Sequence, residues 1–153
     1  MTIDRTDKAI LNELQIDGRL SNSELSKRVH LSESACLRRV KILEESGVVE
    51  RYALIVNQAK VGKPGNVFVE ITLESQKQED LAAFERSVKE VPEVMECYLM
   101  TGGFDYLLRL VIADTADFER IHRDVLTRLP KVARVRSSIA LRSVTKRTSI
   151  LIK

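Results

Sequence analysis

Ser34, Arg38 and Lys41 recur at helical spacing on one side of a short segment, and their side chains share one chemistry, hydrogen bonding to base edges and phosphates. Leu37 lies beside them and Glu45 falls on the same side, while Cys36, Val40 and Leu43 form a narrow apolar stripe opposite. Arg39 projects nearer that stripe. Arg38 has the reach for a guanine edge, and Ser34 can donate or accept. Ser32 stands where an N-cap belongs, and the backbone amides freed at that end suit a phosphate.

Other chemistries find little support. The chain has two cysteines, Cys36 and Cys97, and two histidines, His30 and His122, without the clustering a zinc site needs. Both cysteines fall in segments that read as buried, and small apolar core residues are the simplest account of them. His122 sits beside apolar positions and gets no role. Asp114 and Asp117 read as helix-entry residues rather than a catalytic pair. The expectation is no catalytic residue, no metal, no cofactor and no enzyme.

Three helices must position the polar face. The first runs over 5–15, with Asp4 as N-cap, Asp7 in the first turn, and Ile10, Leu11 and Leu14 inward. The second begins after Ser21, which forms a capping box with Glu24, and ends near His30. A tight turn leads to the third, from Glu33 to about Ser46, stopped by Gly47. Two short helices, a tight turn and an outward-facing polar second helix make a helix-turn-helix pattern. A plain three-helix bundle with a solvated basic face would use the same residues. The strand-like stretch 48–56, "VVERYALIV", favours DNA binding, since it supplies a wing or hinge strand with Arg51 near the backbone.

The rest of the chain has another rhythm. Residues 57–65, "NQAKVGKPG", have linker composition. Val67, Val69, Ile71 and Leu73 alternate with more polar neighbours, predicting a strand. A helix over 78–90, ended by Pro92, and a strand over 94–101 follow, then a tight turn at Gly102 and Gly103 and a strand over 106–112. Thr115 caps a second helix, ended by Pro130, and a long strand over 132–144 precedes a short edge strand over 149–152. The order β-α-β-β-α-β is ferredoxin-like, with both helices on one sheet face. The other face would leave apolar residues exposed, and face-to-face dimerisation covers it. The fold class is therefore α+β: a winged helix-turn-helix at 1–50, a hinge strand and linker at 51–65, and a ferredoxin-like domain at 66–153.

The chain resembles the Lrp/AsnC family of transcriptional regulators. Two stretches carry the resemblance: "IDRTDKAILNELQIDGRLSNSELSKRVHLSESACLRRVKILEESGVVERY", and "GGFDYLLRLVIAD" with a Gly-x-x-Asp-Tyr signature at Gly102, Asp105 and Tyr106. The resemblance implies homodimers that build octamers or other higher oligomers. It also implies a small amino-acid effector near Thr101–Tyr106, with Ser137 and Ser138 close by. The chemistry fits. Amides at Gly102 and Gly103 can receive a carboxylate, Asp105 can accept from an ammonium, and Met100 or Tyr106 can bound the side-chain pocket. A simple hairpin turn would explain the glycines equally well.

Two departures stand out. Glu33 and Ala35 occupy places where the family often has proline. No acidic residue follows Asp124, while Arg128, Lys131, Arg134, Arg136, Arg142, Lys146, Arg147 and Lys153 are all basic. That run is either a solvated strand face or a non-specific contact to DNA phosphates. Net charge is only +3, which permits a DNA partner without establishing one. The start of the chain is charged and lacks an apolar signal core, and no apolar run reaches membrane-spanning length, so a cytoplasmic protein with no membrane contact is expected. The leading function is a DNA-binding transcriptional regulator whose DNA binding or assembly an amino acid shifts. A neutral or apolar, leucine-like effector suits the absence of extra charge at the turn. The alternatives are a ligand-insensitive architectural DNA-binding protein and a haem-pathway decarboxylase on the same scaffold. The two histidines, in different domains, do little for the last.

Overall fold

The computed structural model describes residues 2–153. The chain divides into two compact units: residues up to Ile55 together with Val144–Lys153, and Val56–Ser143.

The first unit is built on three helices, α1 (Arg5–Ile16), α2 (Asn22–Arg28) and α3 (Glu33–Glu45). Their starts are chemically fixed. Asp4 accepts from the Asp7 amide and Asp7 returns the bond, closing a capping box at α1. Ser21 and Glu24 do the same at α2. Ser32 caps α3 by accepting from the Ala35 amide at 3.3 Å. Ile10, Leu11, Leu25, Cys36 and Leu43 form the buried core, with Val40 and Ile152 packed against it. Arg39 leaves the outer face of α3 and reaches back to α1, bonding Asp7 at 2.7 Å and Asp4 at 2.8 Å. Asp7 is buried, so this pair neutralises a charge that would otherwise lie unmatched in the unit's wall.

Two expectations fail in this unit. The stretch 48–56 forms no strand, because an extended segment needs a ladder partner and none of the described residues pairs with it. It is held instead by Tyr52, whose ring lies against Gly18 and whose hydroxyl donates to Glu44 at 2.9 Å. Burial, then the Glu44 carboxylate, pushes the Tyr52 hydroxyl up to about 12. Residues 149–152 form no edge strand either. They lie on α1, where Gln15 donates to the Ile150 carbonyl at 3.0 Å and accepts from its amide at 2.6 Å. The Asn12 amide group donates to the Ile152 carbonyl at 3.3 Å. The last ten residues thus pack with the helices rather than with residues 66–143.

The second unit is a four-stranded antiparallel sheet in the order β2-β3-β1-β4, with helices on one face. Its strands are β1 (Gly65–Leu73), β2 (Val94–Leu99), β3 (Tyr106–Ile112) and β4 (Val132–Ile139), and its helices are α4 (Gln78–Lys89) and α5 (Thr115–Asp124). Alternation along β1 and β3 buries Val67, Val69, Ile71 and Leu73 with Tyr106, Leu108, Leu110 and Ile112. Phe84, Val88 and Ile121 close the core from the helix side. Gly65 begins β1 where a Cβ would stand 2.5 Å from the Ile112 side chain, so a close strand approach requires glycine there.

Element ends differ from the sequence reading for local reasons. Asp114, not Thr115, caps α5, accepting from the Asp117 amide at 2.8 Å. The helix then breaks into a 3-10 turn at Leu126–Arg128, which buries Leu126. β4 stops at Ile139 because its partner β1 runs out: Val67 pairs with Ile139, and the Ala140 amide makes a last bond to the Asn66 carbonyl at 2.9 Å. Cys97 is half-buried rather than fully buried.

Candidate nucleic-acid interface and ligand site

On α3, Ser34, Leu37, Arg38, Lys41, Ile42 and Glu45 line one shallow groove. The apolar stripe of Cys36 and Leu43 holds the opposite side in the core, which fixes the rotation of the helix. Arg38 and Lys41 have no ion-pair partner among the described residues, so both cations are free to meet an external anion. Leu37 is 44% exposed in the middle of this polar face. A lone exposed apolar side chain between a serine and two cations matches the mixed donor and methyl pattern of a major-groove edge. Ser32 is exposed at the helix start, its hydroxyl 3.3 Å from that of Ser34. Arg51 is exposed on the unpaired stretch after α3 rather than on a wing strand.

The hairpin between β2 and β3 places the other sequence candidates. Met100 to Asp105 form its loop, closed by the Met100 amide donating to the Asp105 carbonyl at 2.8 Å. Gly102 has φ +124, a conformation that favours glycine, and nothing stands within 4 Å of a Cβ there. Thr101, Gly102 and Gly103 are exposed.

Asp105 does not serve as expected. It is 6% exposed, and both carboxylate oxygens are engaged: Oδ2 accepts from the Leu73 amide at 2.7 Å and Oδ1 from Gln76 Nε2 at 2.7 Å. Its carboxylate stitches the hairpin end to the end of β1, leaving no oxygen turned outward for an ammonium.

Tyr106 is also buried. Its ring packs on Phe84 with centroids 4.5 Å apart, and its hydroxyl donates to Glu85 at 2.8 Å. Burial, then the Glu85 bond, pushes that hydroxyl well above the ordinary tyrosine range. Ser137 and Ser138 lie on β4, the far edge of the sheet from β2, so the structure does not bring them to the turn within one chain. Ser137 pairs with Val69 on the helix side, with its hydroxyl buried and without a partner, while Ser138 is exposed.

One cavity in this unit was not foreseen. It opens between α4 and the edge strand β2, encloses about 210 Å³, and is lined by Glu85, Val88, Lys89, Cys97, Leu99 and Tyr106. The sequence signal was present in Glu85 and Lys89, two charges one turn apart flanking the inward Val88. Burial, then the Glu85 carboxylate, pushes the Cys97 thiol up to about 11, which keeps it protonated and unreactive. Among the described residues no group of His, Cys, Asp and Glu could hold a metal ion, and no helix is long and apolar enough to cross a membrane.

Comparison with known proteins agrees with this division of labour. Residues 3–50 match the family model described as winged helix-turn-helix DNA-binding. Residues 66–150 match the model of the Lrp/AsnC ligand binding domain. The chain is 40% identical over 151 residues to the leucine-responsive regulatory protein of Salmonella typhimurium, covering 99% of this chain and 92% of that one. It is 47% identical over 116 residues to an uncharacterised HTH-type transcriptional regulator of Sinorhizobium fredii, covering 76% and 91% respectively. Among solved structures it superposes on a transcriptional regulator of Neisseria meningitidis in complex with L-methionine, with TM-score 0.93 and 37% identity over 98% of this chain and 97% of that one.

Proposed function

Because the chain belongs to the Lrp/AsnC family of transcriptional regulators, we propose that α3 reads an operator while the sheet unit takes a small apolar amino acid that shifts DNA binding or assembly. The observation that carries the reading is the exposed face of α3. Arg38 is placed to bond guanine, Ser34 an adjacent base edge, and Leu37 a thymine methyl. Lys41, Arg51 and the amides capped by Ser32 meet phosphates. On this reading the protein performs no reaction and works in the cytoplasm, where its DNA is.

The relatives supply the effector class: one is leucine-responsive and another was solved with L-methionine. The uncapped backbone at Gly102 and Gly103 keeps the turn open to a second copy, and Ser137 or Ser138 reaches an effector only from such a copy. The sheet face turned away from the helices supports self-association. Phe68 is 40% exposed on it and Tyr98 52%, around a buried polar centre in which Arg109 bonds Glu96 at 2.8 Å and Asn66 at 2.9 Å. A homodimer closed on this face, building octamers or other assemblies, buries these residues. Effector binding to one assembly more tightly than to another then shifts DNA affinity by linkage.

The test is fluorescence anisotropy on a DNA pool selected from random duplexes, with and without each of the twenty amino acids. Selective binding that an apolar amino acid changes supports the reading. Selective binding that none changes leaves a regulator without an amino-acid sensor. Unselective binding with steep salt dependence would favour the architectural alternative, for which the basic run after Asp124 is the supporting observation.

A further inference from the structure

We infer that the cleft between α4 and β2 seats the amino-acid effector, Glu85 taking its ammonium and Lys89 its carboxylate. This rests on the amino-acid-sensing reading above and gives it an address.

With Asp105 committed to the Leu73 amide and Gln76, the ammonium needs another carboxylate, and Glu85 is the only one lining the cavity. Glu85 and Lys89 stand four residues apart on α4, in the order that favours an ion pair along a helix. Yet among the described residues no N···O contact within 4.0 Å joins them. One Glu85 oxygen holds the Tyr106 hydroxyl, and the other carries no hydrogen bond. Both charges act on Cys97 in the cavity wall, Glu85 raising and Lys89 lowering its thiol, which places the two beside one space. Opposite charges that face a common void without neutralising each other complement a zwitterion.

The remaining walls choose the side chain. Val88, Cys97 and Leu99 offer no strong hydrogen-bonding group, so they suit an aliphatic or thioether side chain. At about 210 Å³ the cavity lies below the roughly 300–1,000 Å³ of sites for drug-sized ligands, as a single amino acid requires. Leu99 and Tyr106 are cross-strand partners at the mouth of the hairpin. A ligand against both braces the strand ends that carry the Met100–Asp105 loop, so occupancy is felt at the turn.

The experiment is calorimetric titration of the full chain. A first pass uses the twenty amino acids. A second uses the tightest of them, its amide, which lacks the carboxylate, and its des-amino acid, which lacks the ammonium. Wild type should prefer the intact amino acid to both analogues by at least about tenfold, the scale of a charge-assisted hydrogen bond. Glu85→Gln should lose the preference over the des-amino acid alone, and Lys89→Met the preference over the amide alone. This crossed pattern cannot arise from misfolding, which would weaken all three ligands together. Amino-acid binding that both variants retain with wild-type preferences overturns the inference and leaves the sensing reading standing. Binding lost in Gly102→Ala but intact in both variants places the effector at the turn and likewise overturns it. Binding of no amino acid at all removes both.

Discussion

Replacing Asp105 by alanine strips the buried Leu73 amide of its acceptor and frees Gln76. The sheet unit should lose about 2 kcal/mol, within the range for an unsatisfied buried donor, measurable as a lower urea midpoint. Asp117 gives the sheet unit a pH response. Its carboxylate is held below the ordinary range by the Lys63 ammonium first, then by the Ala113 amide and Arg120. A folded-state value below the unfolded one means that the stabilisation is complete above the ordinary aspartate value of about 3.9 and lost as pH falls below it. Asp117→Asn should therefore lower stability at pH 7 and flatten its decline in acid, checked by thermal melts from pH 7 to pH 2. At the DNA, Arg38→Ala should cost about 1–3 kcal/mol and relax selectivity at one base, read by repeating the site selection. Legibility at this scale followed chain distance. Ser34, Leu37, Arg38 and Lys41 were readable because one helix sets their common face. Asp105 was misjudged because its partners, Leu73 and Gln76, lie about thirty positions away and nothing local announces them.

The helices were legible because each carries its own start signal. Asp4, Ser21 and Ser32 all cap as their positions foretold. Ser21→Ala should remove the α2 capping box at a cost of about 1 kcal/mol, seen as a lower melting temperature of the helical unit. Strands were legible in their alternation and not in their length, since a strand lasts only while a partner does. β4 ends where β1 ends, and 48–56 alternates without any ladder. The cleft was hidden for the same reason. Glu85 and Lys89 look like an ordinary solvated i,i+4 pair until β2 is placed beside them.

For the whole molecule, the outer face of the sheet makes a sharp demand. Phe68→Glu puts a second carboxylate beside Glu70 and Glu96 on a face proposed to meet its own copy. Sedimentation at micromolar concentration should then show monomers where wild type shows dimers or larger, with the fold intact by circular dichroism. Persisting wild-type assembly would send the search for the interface elsewhere. The docking of the last residues on α1 reaches further, into the order in which the protein is made. A ribosome releases the three helices long before Ile150 and Ile152 exist to meet Gln15 and Asn12. The unit synthesised first is therefore the one completed last, and the helices emerge with one flank of their core open until translation ends. A gene cut to its DNA-reading half would yield that unfinished state, and a separate peptide of residues 144–153 should raise its melting temperature.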